Sequence, residues 1–194
     1  MNVLVLGPQG SGKGTQAKKM AATYGIPHIA TGDMIREMKE IPNDLGRELS
    51  AIYDQGLLVE DELMIRLIRA RLDRGDTLPG FVLDGFPRTM VQAEALDVLL
   101  DELGREIDIV FEFQVPDRQQ LLDRLLKRGA EENRSDDTPE AIQTRLREYD
   151  EKTAPLVEYY RSRRGNVVGI HADRTIPEVF HEIQESLASV EARA

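Results

Sequence analysis

The stretch Val3-Leu4-Val5-Leu6-Gly7-Pro8-Gln9-Gly10-Ser11-Gly12-Lys13-Gly14-Thr15 constrains the fold more than any other part of the chain. An apolar run ends in glycines, and residues 12–24 then carry a helical pattern that Gly25 and Pro27 close. This order predicts a buried parallel strand, a tight loop and a helix. Glycines let backbone N–H groups converge on phosphate oxygens, and the helix N-terminus adds a favourable dipole. Lys13 stands where its ammonium reaches β- and γ-phosphates as a point charge. A glycine-rich turn without a ligand is the bland alternative. The strand before, the helix after and the lysine in register argue against it. Because the chain enters a strand at once, without a basic n-region, no signal peptide is expected.

The rest of the chain repeats the strand-then-helix rhythm. Residues 26–30 read as a second short strand, and residues 33–74 carry helical periodicity broken near Pro42-Asn43 and Gly56. Residues 81–83 form a third apolar strand ending at Asp84-Gly85, and a helix over 90–103 leads to a strand over 109–115. Pro116-Asp117 opens another helix, residues 129–139 are polar, and a long helix follows to about 163. Residues 167–170 make a fifth strand and 177–187 a last helix. Five buried strands alternating with helices predict an α/β fold with a doubly wound, five-stranded parallel sheet. Ligands in such folds sit beyond the carboxyl ends of the strands, where the glycines and Asp84 fall.

With 194 residues the chain fits one domain with small inserted lobes. No run approaches the ~20 apolar residues that span a bilayer. A net charge of −10 argues against nucleic-acid or anionic-membrane partners, which need clustered Lys and Arg. Zero cysteines rules out disulfides and cysteine-ligated zinc and is in keeping with a cytoplasmic protein. His28, His171 and His181 are too scattered for another metal site and read as structural or surface residues. An acidic protein that binds phosphates must gather its cations locally, so the placement of the arginines decides the reading.

Asp84, at the end of a strand across from the phosphate loop, can hold the water shell of Mg²⁺, which tends to keep several waters. Alone it would read as a turn or helix cap. Gly85 follows instead of a catalytic Glu, which disfavours an ATPase motor, and no Asn-Lys-x-Asp appears to suggest a GTPase. Gly14 follows Lys13 where phosphate loops usually carry Ser or Thr, and Thr15 comes one place later.

Gly12-Lys13-Gly14-Thr15, Thr31-Gly32-Asp33-Met34, Gly56-Leu57-Leu58-Val59 with Asp61-Glu62, and Asp84-Gly85-Phe86-Pro87-Arg88-Thr89 with Gln92 resemble the signatures of the adenylate kinase family, in family order over nearly the whole chain. The resemblance implies a core of residues 1–29, 60–128 and 140–194, a mobile AMP-binding lobe over 30–59 and a short lid over 129–139. Gly10, Ser11, Gly12, Lys13, Gly14 and Thr15 would hold the phosphates of ATP. Thr31 would contact the adenine of AMP, Arg36 and Arg88 its phosphate, and Leu57, Leu58 and Val59 would line the base. Gly85, Phe86, Pro87 and Arg88 would run alongside AMP. The Gln92 amide, both donor and acceptor, would read the adenine edge. Always-charged arginine forks suit a polyanion, although Arg36 alone would read as a solvated helix residue.

Arg124 and Arg128 are four apart and share a helix face, which on spacing alone points to a solvated surface. Arg134, in Asn133-Arg134-Ser135-Asp136-Asp137, and Arg145 resemble lid residues of the family. By that resemblance Arg124 packs against the ATP adenine, Arg128, Arg134 and Arg145 close on the phosphates, and Arg174 touches adenine through its backbone. The segment between Arg128 and Arg145 is too short for the inserted β-lobe that some relatives carry, and it has no cysteine for zinc. Gln9 stands where relatives often have Pro. The implied reaction is Mg²⁺-dependent and reversible, ATP plus AMP giving two ADP, with Lys13, Arg88, Arg128, Arg134 and Arg145 catalytic in a monomeric enzyme of adenine nucleotide homeostasis and purine salvage. A UMP or CMP kinase, or a silent nucleotide-binding regulator, are the alternatives on the same fold. By the same resemblance, Thr31 with Gln92 favours AMP over the pyrimidine acceptors.

Overall fold

Strand β1 (Asn2–Leu6) is buried along its whole length, because it lies in the middle of the sheet with helices on both faces. Its side chains therefore read as a continuous apolar run rather than an alternating one. Val3 and Val5 point into one core, and Leu4 and Leu6 into the other. The computed structural model describes residues 1–132, 136–164 and 166–191; the expectation placed on Arg134 lies outside them.

Strands β2 (His28–Ala30), β3 (Phe81–Asp84), β4 (Ile109–Gln114) and β5 (Val167–His171) complete an all-parallel sheet in the order β2-β3-β1-β4-β5. The five-stranded doubly wound α/β arrangement read from the sequence is the one observed. After β3 the chain crosses to the other side of β1. The carboxyl ends of β1, β2, β3 and β5 border one cavity.

Helices α1 (Lys13–Tyr24) and α9 (Ile176–Glu191) cover one face. Helices α4 (Asp61–Leu72), α5 (Met90–Glu102) and α8 (Pro155–Arg164) cover the other. Between β2 and α4 lie α2 (Thr31–Lys39) and α3 (Asp44–Tyr53), the latter capped by Asn43, whose side-chain oxygen accepts from the Gly46 N–H at 2.7 Å. Helices α6 (Arg118–Glu132) and α7 (Pro139–Glu148) share a small separate core of Leu121, Leu125, Ile142 and Leu146. Among the described residues no helix is long and apolar enough to cross a membrane.

Three of the boundaries that differ from the sequence reading have a plain physical reason. Strand pairing begins at His28 rather than residue 26, since Pro27 has no N–H to give and only its carbonyl joins the sheet, accepting from Val82 at 2.9 Å. The long helix expected up to residue 163 is two helices, separated by a π-helical turn over Tyr149–Thr153. Pro155, lacking an N–H, opens the second of them. Helix α6 continues through Gly129, where a polar loop was expected, because Asp137 packs directly on that residue: a Cβ at Gly129 would lie 3.0 Å from Asp137 Cβ.

Candidate active site

The phosphate loop, residues 7–12, leaves β1 and enters α1 at Lys13. Gly12 has φ 84°, a left-handed value that only glycine adopts without strain, and nothing lies within 4 Å of where its Cβ would be. Beside it, the Ser11 hydroxyl is buried with no hydrogen-bond partner. A buried polar atom left unpaired is costly. An anion seated in the loop would supply the acceptor that this hydroxyl lacks.

The loop forms one end of a cavity of about 500 Å³. Gly10, Ser11, Gly12, Lys13, Gly14 and Thr15 line it, as do Arg36, Arg88, Arg124, Arg128, Arg145 and Arg174. These cations come from α1, α2, the β3–α5 turn, α6, α7 and the β5–α9 turn, and the fold brings them to one place. Lys13 donates to the Pro8 carbonyl at 3.4 Å. Burial, with Arg88 and Arg128 adding repulsion, pulls its ammonium down to about 8 from the ordinary value of 10.5, and Asp84 opposes the shift.

Asp84 ends β3 and meets His28 Nε2 at 3.4 Å. Burial alone would raise its carboxyl, but the His28 contact and Lys13 outweigh it and hold Asp84 below the ordinary carboxylate value. A Cβ at Gly14 would lie 3.2 Å from Asp84 Oδ2, so a side chain there would crowd this oxygen. The donor set fits magnesium: an ionised hard oxygen facing the start of the phosphate-loop helix. Among the described residues no cluster of three or more His, Cys, Asp or Glu forms a cage of its own. An ion at Asp84 would therefore complete its shell with water and phosphate oxygens.

A separate narrow crevice of about 10 Å³, which shares Gly85 and Arg88 with the main cavity, is lined by Thr31, Leu57, Leu58, Val59 and Gln92 as well. Thr31 is fully buried and donates to the Asp84 carbonyl at 3.2 Å. The Gln92 amide is already engaged: its oxygen accepts from the Arg88 N–H at 2.8 Å, and Nε2 donates to Asp61 Oδ1 at 2.7 Å. One N–H and one lone pair stay available for a ligand. Arg88 Nε donates to the Gly85 carbonyl at 2.8 Å, which aims the guanidinium back across the crevice. Burial, then Arg145 and Arg36, lower the Arg88 pKa, with Tyr53 and Asp84 opposing.

Several of the site arginines are occupied by carboxylates, Arg128 and Arg145 most closely. Arg128 holds Asp137 in a bidentate pair, Nε and Nη2 each at 2.8 Å. Despite the cost of burial, this pairing raises the Arg128 pKa. Arg145 pairs with Asp136 at 2.7 Å and Asp137 at 3.1 Å, and Nη2 also donates to the Tyr53 carbonyl at 3.1 Å. Tyr53 further accepts from Arg36 Nη1 at 2.8 Å through its hydroxyl and lies beneath the Arg145 guanidinium, 4.9 Å from the ring centre. Arg36 is also paired with Asp33. Sequence reasoning assigned no role to Tyr53, Asp61, Asp136 or Asp137.

Other expected residues fall less centrally. Phe86 is 1% exposed and packs in the core, so only its backbone can face a ligand; Pro87, joined to it by a cis peptide bond, lines a side cavity next to Lys13 and Arg145. Arg124 donates to the Gly10 carbonyl at 3.4 Å and the Ala172 carbonyl at 3.0 Å, a buttress rather than the solvated helix face that spacing suggested. Arg174 stands at the rim, paired with Glu182 at 3.7 Å. His28 is a structural partner of Asp84, while His171 and His181 pair with Glu182 and Glu185 on the surface.

A phosphate loop, a strand-end carboxylate and arginines converging from both sides define a P-loop phosphotransferase of the nucleoside monophosphate kinase class. Residues 5–165 match the family described as Adenylate kinase. A protein of that name from Kosmotoga olearia is 40% identical over 217 aligned positions, covering 98% of this chain and 100% of the relative. One from Rhizobium meliloti is 43% identical over 194 positions, covering 97% and 100%, and one from Methanosarcina barkeri is 39% identical, covering 96% and 98%. The chain belongs to the adenylate kinase family.

Proposed function

We propose that the protein transfers the γ-phosphoryl group of ATP reversibly to AMP, giving two ADP, and does so as a cytoplasmic monomer serving adenine nucleotide balance. The observation that carries this reading is one cavity lined by Lys13 and Ser11 of the phosphate loop together with Arg36, Arg88, Arg128 and Arg145. Two polyanions brought head to head need this distribution of charge.

The loop N–H groups and Lys13 hold the donor phosphates, and Arg88 with Arg36 orients the acceptor phosphate. An AMP phosphate oxygen then bonds to the γ-phosphorus as the bond to the bridging oxygen breaks, and ADP departs with the electron pair. The acceptor oxygen is already anionic near neutral pH, so no general base is required. Arg128 and Arg145 exchange Asp136 and Asp137 for phosphate as residues 129–139 close, with Arg134 joining them by family resemblance. Closure of this lid and of the 30–59 lobe excludes water. Asp84 would hold magnesium through water, where the ion neutralises charge on the donor phosphates.

A coupled assay supplying AMP, UMP, CMP and GMP against Mg·ATP and Mg·GTP tests the reading. ADP formation with AMP well above the pyrimidine acceptors is expected. Preferential turnover of UMP or CMP would replace the assignment.

A further inference from the structure

Gln16 lies in the first turn of α1, one residue past the phosphate-loop threonine, and is only 2% exposed. Its Nε2 donates across 160 residues of sequence to the Ile176 carbonyl at 2.9 Å. Ile176 opens α9 and ends the short turn that follows β5. At the other end of that turn, the Ala172 carbonyl accepts from Arg124, which also holds Gly10 of the phosphate loop. Residues 172–176 are thus hooked to the phosphate-binding side at both ends. Between the hooks, Arg174 and Thr175 border the donor end of the cavity. The polar contacts of these two residues run to α9 itself, Thr175 to Glu178 and Arg174 to Glu182.

The other half of the Gln16 amide points to a role beyond packing. Its Oε1 is buried with no hydrogen-bond partner. An unpaired buried acceptor is a cost that methionine, of similar length and shape, would not carry. For stability alone, an amide is therefore a poor choice at this position. What it provides that methionine cannot is a fixed distance between the phosphate clamp and the base-side turn.

From these contacts we infer that Gln16 is a positioning residue for the donor base: it sets the base-side turn at the spacing that a nucleoside triphosphate needs once its phosphates are seated. The inference rests on ATP being the donor and on its base lying at Arg174, as the family resemblance implies. Gln16 is not among the residues that line the acceptor crevice.

Gln16→Met and Gln16→Asn, which cannot or does not reach Ile176, separate the possibilities when measured with ATP, AMP and inorganic tripolyphosphate. Loss of one ordering hydrogen bond should raise KM for ATP about tenfold, equivalent to about 1.4 kcal/mol. KM for AMP and kcat should stay close to wild type, and Tm of Gln16→Met should be unchanged or higher. Tripolyphosphate has no base, so its inhibition constant should not move. Parallel weakening of ATP and tripolyphosphate would place the effect in the phosphate loop and overturn the inference. So would an unchanged KM for ATP, with or without a fall in Tm. Failure of the wild-type protein to form ADP from ATP and AMP would refute the phosphotransferase reading instead, which keeps the two failures apart.

Discussion

Replacing Asp137 by Asn tests whether the arginines of the site are held in reserve by carboxylates. The Asp137 side chain is fully buried and serves two guanidinium groups, while Arg145 is itself only 4% exposed. Asn keeps the shape but removes the charge and turns an N–H donor toward a cation. Arg145 then keeps Asp136, 2.7 Å away, and Arg128 keeps only the weaker attraction of Asp136 and Glu132. Removing one partner of a buried ion pair costs about 3–5 kcal/mol. In a chain of this size each kcal/mol lowers Tm by about 2–4 °C, so the midpoint should fall by about 6–20 °C. Nucleotide phosphates offer the two arginines a replacement anion. The deficit, read by calorimetry without ligand and again with saturating ATP plus AMP, should therefore shrink when nucleotide is present. A fall below about 2 °C, or a deficit indifferent to nucleotide, would refute the account of paired and exchangeable arginines.

Arg88→Ala should keep its fold and lose about 10²–10³-fold in kcat, as expected when one preorganised charge-stabilising donor is removed; turnover near wild type in a folded variant would take Arg88 out of the mechanism. Lys13 is pulled down to about 8 in the folded chain against 10.5 when unfolded, so between these values the unfolded state binds more protons and stability should rise with pH, while ATP binding weakens above about 8. A KM–pH profile for ATP should show this alkaline limb, and Lys13→Arg should abolish it; a limb that persists in the variant belongs to another group. Gln92→Leu leaves the Arg88 N–H and Asp61 without their amide partner and should raise KM for AMP by about tenfold or more, at a cost of about 1–3 kcal/mol. An acceptor panel should show a loosened choice of base, and unchanged selectivity would place base reading elsewhere.

The phosphate loop and Asp84 were legible because their signals are local: glycine spacing, a lysine in register and a carboxylate closing an apolar strand. The sheet was legible because strands buried on both faces leave unbroken apolar runs. Tyr53 was not, since its partners Arg36 and Arg145 lie 17 and 92 residues away and nothing in its own neighbourhood marks it. The same holds for Asp61, whose carboxylate holds Thr89 and Gln92 from another element. Asp136 and Asp137 were visible as a motif, but a pair of acids beside a basic stretch does not say which arginines it restrains. The break before α8 was missed although Pro155 stands at it, and the π-helical turn that precedes it has no signature in residue type.

Gly56 follows α3 and lies so near α7 that a Cβ there would come within 2.4 Å of the Ala141 carbonyl. Next to this contact, Arg145 reaches over to the Tyr53 carbonyl from the same helix. If the 30–59 lobe swings out to admit AMP, as proposed, it must break that seam and drag on the guanidinium at once. Acceptor entry would then strip Arg145 of its tie to the lobe and leave it to Asp136 and Asp137 alone, so that arrival of the second substrate loosens one cation of the cleft before phosphate replaces the carboxylates.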